Sequence, residues 1–97
     1  MIRRNTVRVG EILRLFWQDH PELYHQMLEV RIQRLWKELL GPSIAHYTTQ
    51  IYVKNRVLYV CISSSVVRTE LLSLRKTLVE KLNTQAGASV IDDIVIR

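Results

Sequence analysis

Glycine, proline and cysteine are all scarce in this sequence of 97 residues, which holds three, two and one of them respectively. The glycines stand apart at positions 10, 41 and 87, so no glycine-rich loop is present that could cradle a phosphate or a dinucleotide. The single cysteine, Cys61, cannot form an internal disulfide and offers no cysteine pair for zinc. The scarcity excludes the common nucleotide-binding loops and fits a reducing cytoplasm.

Long hydrophobic runs are also missing. No apolar stretch approaches the roughly 18 residues that a membrane span requires, and Met1-Ile2-Arg3-Arg4 does not open a secretory signal. The hydrophobic share of 47% and the charged share of 24% are ordinary for a soluble globular protein. We therefore expect one cytoplasmic domain over residues 1–97 without a membrane partner, in which residues 1–8 can form a flexible basic arm.

Catalytic motifs are absent as well. The three histidines, at positions 20, 25 and 46, do not pair with one another or with Cys61 at metal-ligand spacing. The run Ser63-Ser64-Ser65 lacks a nucleophile elbow and is better explained as a helix cap. Asp92 and Asp93 are neighbours on a predicted strand, so they point to opposite faces and cannot easily share an ion. We predict no enzyme activity, no cofactor and no metal site.

Hydrophobic periodicity predicts two N-terminal helices. The first has two to three turns, and its apolar face recurs at Val9, Ile12 and Phe16. The second helix ends at Leu40, where Gly41-Pro42 stops it. Trp17 and Trp36 fall in the two apolar stripes, which favours a core position for both.

A β-hairpin follows, formed by Tyr47–Val53 and Val57–Ser63. Lys54-Asn55-Arg56 forms its turn, with Asn55 the best candidate for a positive φ. On the second strand, the alternate residues from Leu58 to Ile62 share the core face. The other face, Val57, Tyr59 and Cys61, is also largely apolar, so we expect something to cover part of it.

One long helix is predicted after the serine run, ending between Asn83 and Gly87, and a last strand spans Val90–Ile96. A crossover through a long helix predicts that this strand lies parallel to the second hairpin strand. The fold class is therefore α+β, in the order ααββαβ, with a three-stranded mixed sheet.

Positive charge is in excess, with 14 Lys and Arg against 9 Asp and Glu and a net charge of +5. Such a balance raises the expectation of a polyanionic partner, because phosphate contacts need Lys and Arg. Tyr47, Tyr52 and Tyr59 lie on strands beside the basic turn. They can hold single-stranded nucleic acid by stacking on bases, or pack beneath the first two helices.

Several segments in chain order resemble the bacterial family, long catalogued as a domain of unknown function, that contains the DciA replicative-helicase loaders. The segments are Val9-Gly10-Glu11-Ile12-Leu13, Trp36-Lys37-Glu38-Leu39-Leu40-Gly41, Ile44-Ala45-His46-Tyr47-Thr48, Asn55-Arg56-Val57-Leu58-Tyr59-Val60, Ser63-Ser64-Ser65-Val66-Val67-Arg68-Thr69-Glu70-Leu71 and Ile94-Val95-Ile96-Arg97. The most specific are the tryptophan-to-glycine helix end and the serine run that leads into Arg-Thr-Glu-Leu.

The resemblance implies a fold similar to the K-homology (KH) domain, affinity for DNA, and a role in placing a DnaB-type helicase on single-stranded DNA without ATP hydrolysis. The Gly-x-x-Gly loop with which K-homology domains clamp nucleotide backbones is absent here, so binding through such a loop is not expected. Larger family members also carry a flexible C-terminal extension implicated in partner binding.

We therefore expect a non-catalytic nucleic-acid-binding domain that assists helicase loading. Its partners would be single-stranded or duplex DNA and the DnaB-type helicase. Two alternatives stay open: an RNA-binding domain, and an interaction adaptor or homodimer that uses the apolar second face of the hairpin. The candidate nucleic-acid-binding residues are Arg3, Arg4, Arg8, Lys54, Arg56, Arg68, Arg75, Lys76, Tyr52 and Tyr59.

Overall fold

The computed structural model describes residues 2–97, and it describes side chains from residue 8 onward. Its elements are α1 (Ile2–Asp19), α2 (Pro21–Tyr47), β1 (Thr48–Lys54), β2 (Val57–Ile62), α3 (Ser65–Ser73), α4 (Arg75–Ala86) and β3 (Asp93–Ile96). The described chain is thus an α+β fold with four helices and one three-stranded sheet. Within residues 2–97, no helix combines the length and the apolar composition needed to cross a membrane.

The sheet is mixed and open, with the strand order β1-β2-β3. β1 pairs antiparallel with β2, and β3 lies parallel to β2, which confirms the predicted orientation of the last strand and places it beside β2. In the hairpin turn Asn55 has a φ of 51° and Arg56 a φ of 64°. Two successive positive φ values are typical of a two-residue type I′ turn, so the prediction for Asn55 is confirmed and Arg56 shares its conformation.

The core lies between one face of the sheet and helices α2, α3 and α4. Leu58 and Val60 of β2 are fully buried, as are Ile32 and Trp36 of α2. The indole Nε1 of Trp36 donates to Thr48 Oγ1 at 3.1 Å, so the buried ring leaves no polar atom without a partner. The predicted core position of Trp36 is confirmed.

Helix α2 is broken where the sequence predicts its end. Gly41 has φ 87° and ψ 173°, a region of backbone space that is essentially restricted to glycine. A last helical segment follows Pro42, and it is tied to β1 because Thr48 Oγ1 donates to the Ile44 carbonyl at 2.9 Å. The glycine therefore redirects the chain from the helical layer into the sheet.

The predicted long third helix is wrong, because it is divided at Leu74, with φ −105° and ψ 7°. Just before the break, Ser73 Oγ donates to the Glu70 carbonyl at 2.7 Å, a local bond that competes with the helical ladder. Leu71 of α3 and Leu78 of α4, on either side of the division, both lie in the core. The element order is accordingly ααββααβ and not ααββαβ.

Asn83 fastens the loop between α4 and β3. Its Oδ1 accepts hydrogen bonds from the backbone N–H groups of Val90 at 3.0 Å and Ile91 at 3.1 Å. Its Nδ2 donates to the Ile91 carbonyl at 2.8 Å. One side chain thus satisfies three backbone groups at the entrance to β3.

Helix α1 is longer than the predicted two to three turns, with 18 residues. Its apolar face is largely in solvent, with Ile12 62% exposed. Trp17 is half-buried and meets Tyr24 of α2, with 5.9 Å between ring centroids, outside the main core cluster. The predicted core position of Trp17 is therefore wrong.

Candidate nucleic-acid interface

The second face of the sheet carries the aromatic candidates. Alternation along the strands puts Tyr52 and Lys54 of β1, Tyr59 of β2 and Val95 of β3 on the side opposite the buried residues. Tyr52 is the register partner of Tyr59, and Tyr59 is the register partner of Val95. The buried residues of α2, α3 and α4 cluster with the other face. In the described chain, this open face is therefore free of helices.

The two tyrosines of the open face stack on each other. Their ring centroids are 4.9 Å apart and the ring planes differ by 9°. Such a nearly parallel pair presents a flat aromatic surface, which is the geometry that nucleobases use when they stack on protein side chains. Both rings are only half-buried.

Arg97 joins this pair, and the sequence analysis did not select it. Its Nη2 donates to the Tyr52 hydroxyl at 3.1 Å, and its guanidinium carbon lies 5.2 Å from the Tyr59 ring centroid. Its backbone continues the parallel ladder, because its N–H donates to the Val60 carbonyl at 3.0 Å and its carbonyl accepts from Ile62 N–H at 2.7 Å. The alternation Asp93, Val95, Arg97 was the signal that could have placed it on the open face.

Arg56 is held in an ion pair at the hairpin tip. Its Nε and Nη2 donate to the two carboxylate oxygens of Asp92 at 3.0 and 2.9 Å, and Nη2 also donates to Ser89 Oγ at 3.1 Å. The hydrogen bond from Arg56, with its charge in a smaller role, lowers the pKa of Asp92 below its ordinary value, although desolvation opposes the shift. Arg56 thus fastens the hairpin to the loop before β3, with its charge already compensated.

Most of the other predicted cations lie apart from the open face. Arg68 Nη2 donates to the Ile62 carbonyl at 2.8 Å. Arg75 reaches the edge of the open face, where its Nε contacts Asp93 at 3.3 Å. Lys76 is exposed on α4, and Arg8 is exposed on α1. The side chains of the remaining two predicted residues, Arg3 and Arg4, lie outside the described part of the chain.

The fold consequently does not gather the predicted residues into one patch. It brings Lys54, Tyr52 and Tyr59 together with Arg97, and it distributes the rest over the helices and the hairpin tip. Lys54 has no carboxylate within ion-pair distance among residues 8–97.

Polar residues considered for chemistry have structural roles. Ser64 is the N-cap of α3, and its Oγ accepts from Val67 N–H at 3.3 Å, which confirms the capping interpretation of the serine run. Within the described ranges, no three side chains of His, Cys, Asp or Glu come together as a metal site would require.

Comparison with known proteins identifies the family. The family model described as Dna[CI] antecedent, DciA, matches residues 8–96, nearly the whole chain. No curated protein and no solved structure matches the chain. The match includes helices α2, α3 and α4 and all three strands of the sheet. It confirms the resemblance found in the sequence segments. The chain belongs to the DciA family of replicative-helicase loaders.

Proposed function

We propose that this domain binds single-stranded DNA through the open face of its sheet and thereby assists the loading of a DnaB-type helicase. Membership in the family supports the helicase-loading role and a function without catalysis. The observation that carries the DNA proposal is the parallel stack of Tyr52 and Tyr59, bordered by the cations Lys54 and Arg97. We also assign the fold to the K-homology-like class, because its mixed sheet carries the helices on one face.

The proposed mechanism separates base and phosphate contacts. A nucleobase extends the tyrosine stack on a free ring face. This stacking accepts any base, because every base has a π-face. Arg97 uses one of its donors on the Tyr52 hydroxyl and keeps others for a phosphate, while Lys54 offers a second cation at the hairpin end. Such a site favours single strands, whose bases are free to stack.

The test is fluorescence anisotropy of a labelled single-stranded DNA titrated with the chain over a series of salt concentrations. We expect Tyr59→Ala to weaken binding by about 1–3 kcal/mol, since that is the usual contribution of one base stacked on an aromatic ring. Lys54→Glu should also reduce the salt slope by about 0.7 for each phosphate contact it removes.

Lys81→Glu is the matched control, because Lys81 is exposed on α4 and the substitution changes the charge equally. If this control weakens binding as much as Lys54→Glu, the interaction is general electrostatic attraction and the assignment to the open face is wrong. Adding the helicase to the same assay measures loading, and competition with a matched RNA strand tests whether the 2′-hydroxyl matters.

A homodimer or an adaptor complex is a second candidate for the same face. Val57, Cys61 and Val95 border the tyrosines, and the Cys61 thiol contacts Gln50 Oε1 at 3.6 Å. A second copy that packed here would cover this apolar border together with both rings. Light scattering distinguishes the candidates, since a stable dimer without DNA affinity favours the adaptor, and a monomer that binds DNA favours our proposal.

A further inference from the structure

Helix α1 projects from the body of the domain, which is formed by α2, α3, α4 and the sheet. Its apolar face is left without a partner. A compact domain of this length has a radius of gyration of about 13 Å, whereas this chain has 16.0 Å and a longest extent of 53 Å. The exposed apolar residues continue from α1 onto the start of α2. They are Val9, Ile12, Leu13, Leu15, Phe16, Leu23 and Val30. So many exposed apolar side chains on two consecutive helices indicate an interaction site.

Two grooves flank Trp17 where α1 meets α2. The first has a volume of about 470 Å³ and includes Phe16, Met27 and Val30 in its walls. The second has a volume of about 510 Å³ and includes Leu13 and Tyr24. Trp17 forms a wall of both, so one half-buried ring divides a continuous apolar cleft.

The charged residues that line this cleft all have one sign. Arg14, Arg31 and Arg34 line the grooves, and no Asp or Glu lines either of them. Arg31 donates to the Ala86 carbonyl at 3.0 Å, and Arg34 contacts Glu38 at 3.5 Å on the solvent side. An occupant would therefore meet apolar walls bordered by guanidinium groups.

We propose that the α1–α2 cleft binds an amphipathic helix of another protein, with apolar anchors spaced i, i+3 or i+4, and i+7 and with Asp or Glu beside them. The apolar walls receive the anchors, and the arginines attract the carboxylates. A second copy of the chain would bring arginines against arginines. A flat bilayer would meet the exposed faces of α1 and α2 but not the walls of the two grooves beside Trp17. The proposal does not depend on DNA binding by the open face.

The test uses two labelled model peptides with the chain of 97 residues, each of about five helical turns with leucine at the anchor positions. One peptide has glutamate beside the leucines and the other has lysine. We expect the acidic peptide to bind at least about tenfold more tightly in fluorescence anisotropy, because like charges oppose the basic peptide. Equal binding of the two, or no binding of the acidic peptide, would overturn the proposal.

Val30→Asp and Val66→Asp form a matched pair of variants. Val30 is 63% exposed in the first groove, and Val66 is 72% exposed on α3, away from the cleft. Because both valines are in solvent, both variants should unfold at temperatures close to that of the unchanged chain. Val30→Asp should weaken binding of the acidic peptide at least about tenfold, since it places a carboxylate in the groove. Val66→Asp should leave the binding of this peptide unchanged.

Three further outcomes would contradict the proposal. Equal loss of peptide binding in both variants would place the peptide elsewhere. Self-association in light scattering that Val30→Asp abolishes would assign the cleft to a second copy of the chain. Tighter binding to anionic lipid vesicles than to the acidic peptide would assign it to a membrane surface.

Discussion

Helices α1 and α2 both carry apolar residues at helical spacing, but the surroundings of those residues are opposite. Ile32 of α2 has no exposed surface, whereas Ile12 of α1 is 62% exposed. Hydrophobic periodicity predicts that a helix has an apolar face, but it does not predict what covers that face. In α2 the cover is the sheet together with α4, and in α1 we propose a helix from another protein.

The connection between these helices explains part of the difference. Antiparallel helices pack side by side when a loop of about 2–5 residues joins them, but only His20 separates α1 from α2. His20 meets Phe16, with 4.5 Å between ring centroids, and Trp17 meets Tyr24. These contacts lie at the junction, and the described side chains of α1 before it, residues 8–16, are exposed.

The sharpest test of this comparison replaces one isoleucine in each helix. Ile32→Ala should lower the free energy of unfolding by about 2–5 kcal/mol, because it leaves a cavity in the core. Ile12→Ala should change it by no more than about 0.5 kcal/mol, because its side chain is already in solvent. Chemical denaturation of both variants measures the difference. Similar losses would mean that the apolar face of α1 is covered in solution.

A smaller effect is expected at Asn83, where the body depends on polar contacts. Asn83→Ala removes three hydrogen bonds to the loop before β3. It should lower the free energy of unfolding by about 2–3 kcal/mol, since each bond contributes about 1 kcal/mol. The control is Gln85→Ala on the exposed side of the same helix, which should be nearly neutral. A neutral Asn83→Ala would show that the loop keeps its conformation without this side chain.

The smallest effect is expected at the exposed ion pair between Arg56 and Asp92. Because the folded pKa of Asp92 lies below the unfolded value, the pair stabilises the fold above that unfolded value, near 3.8, and the contribution is lost as the pH falls through the folded pKa. In the Asp92→Asn variant, the stability should therefore fall less between neutral and acidic pH than in the unchanged chain. Thermal unfolding between neutral and acidic pH measures it.

Arg56→Gln is the companion variant, because it removes the partner and leaves the carboxylate. It should abolish the same pH dependence, and the double variant should lose no more than either single variant. An unchanged acid profile in both single variants would mean that the pair is not formed in solution.

Sequence reasoning succeeded where local chemistry decides the structure. The hairpin turn depends on a short polar segment, and the break in α2 depends on Gly41, so each is visible in a few consecutive residues. The parallel orientation of β3 follows from the length of its connection, whereas its place beside β2 came only from the structure. These features do not require knowledge of distant contacts.

The features it missed depend on contacts between distant residues. Arg97 joins Tyr52 from 45 residues away, and Arg56 meets Asp92 from 36 residues away. Another missed feature, the break at Leu74, involves neither glycine nor proline, so no residue type in the sequence marks it. The candidate site was therefore only partly predictable: the strand residues were identified, but the arginine that joins them was not.

The placement of the two tryptophans gives this protein a pair of natural optical reporters. The Trp36 indole is buried, so its emission should lie at shorter wavelength and resist collisional quenching until the body unfolds. The Trp17 indole is partly in solvent between the two grooves, so a quencher should reach it in the folded chain. One emission spectrum can therefore separate loss of the core from occupation of the cleft, without any label attached to the protein.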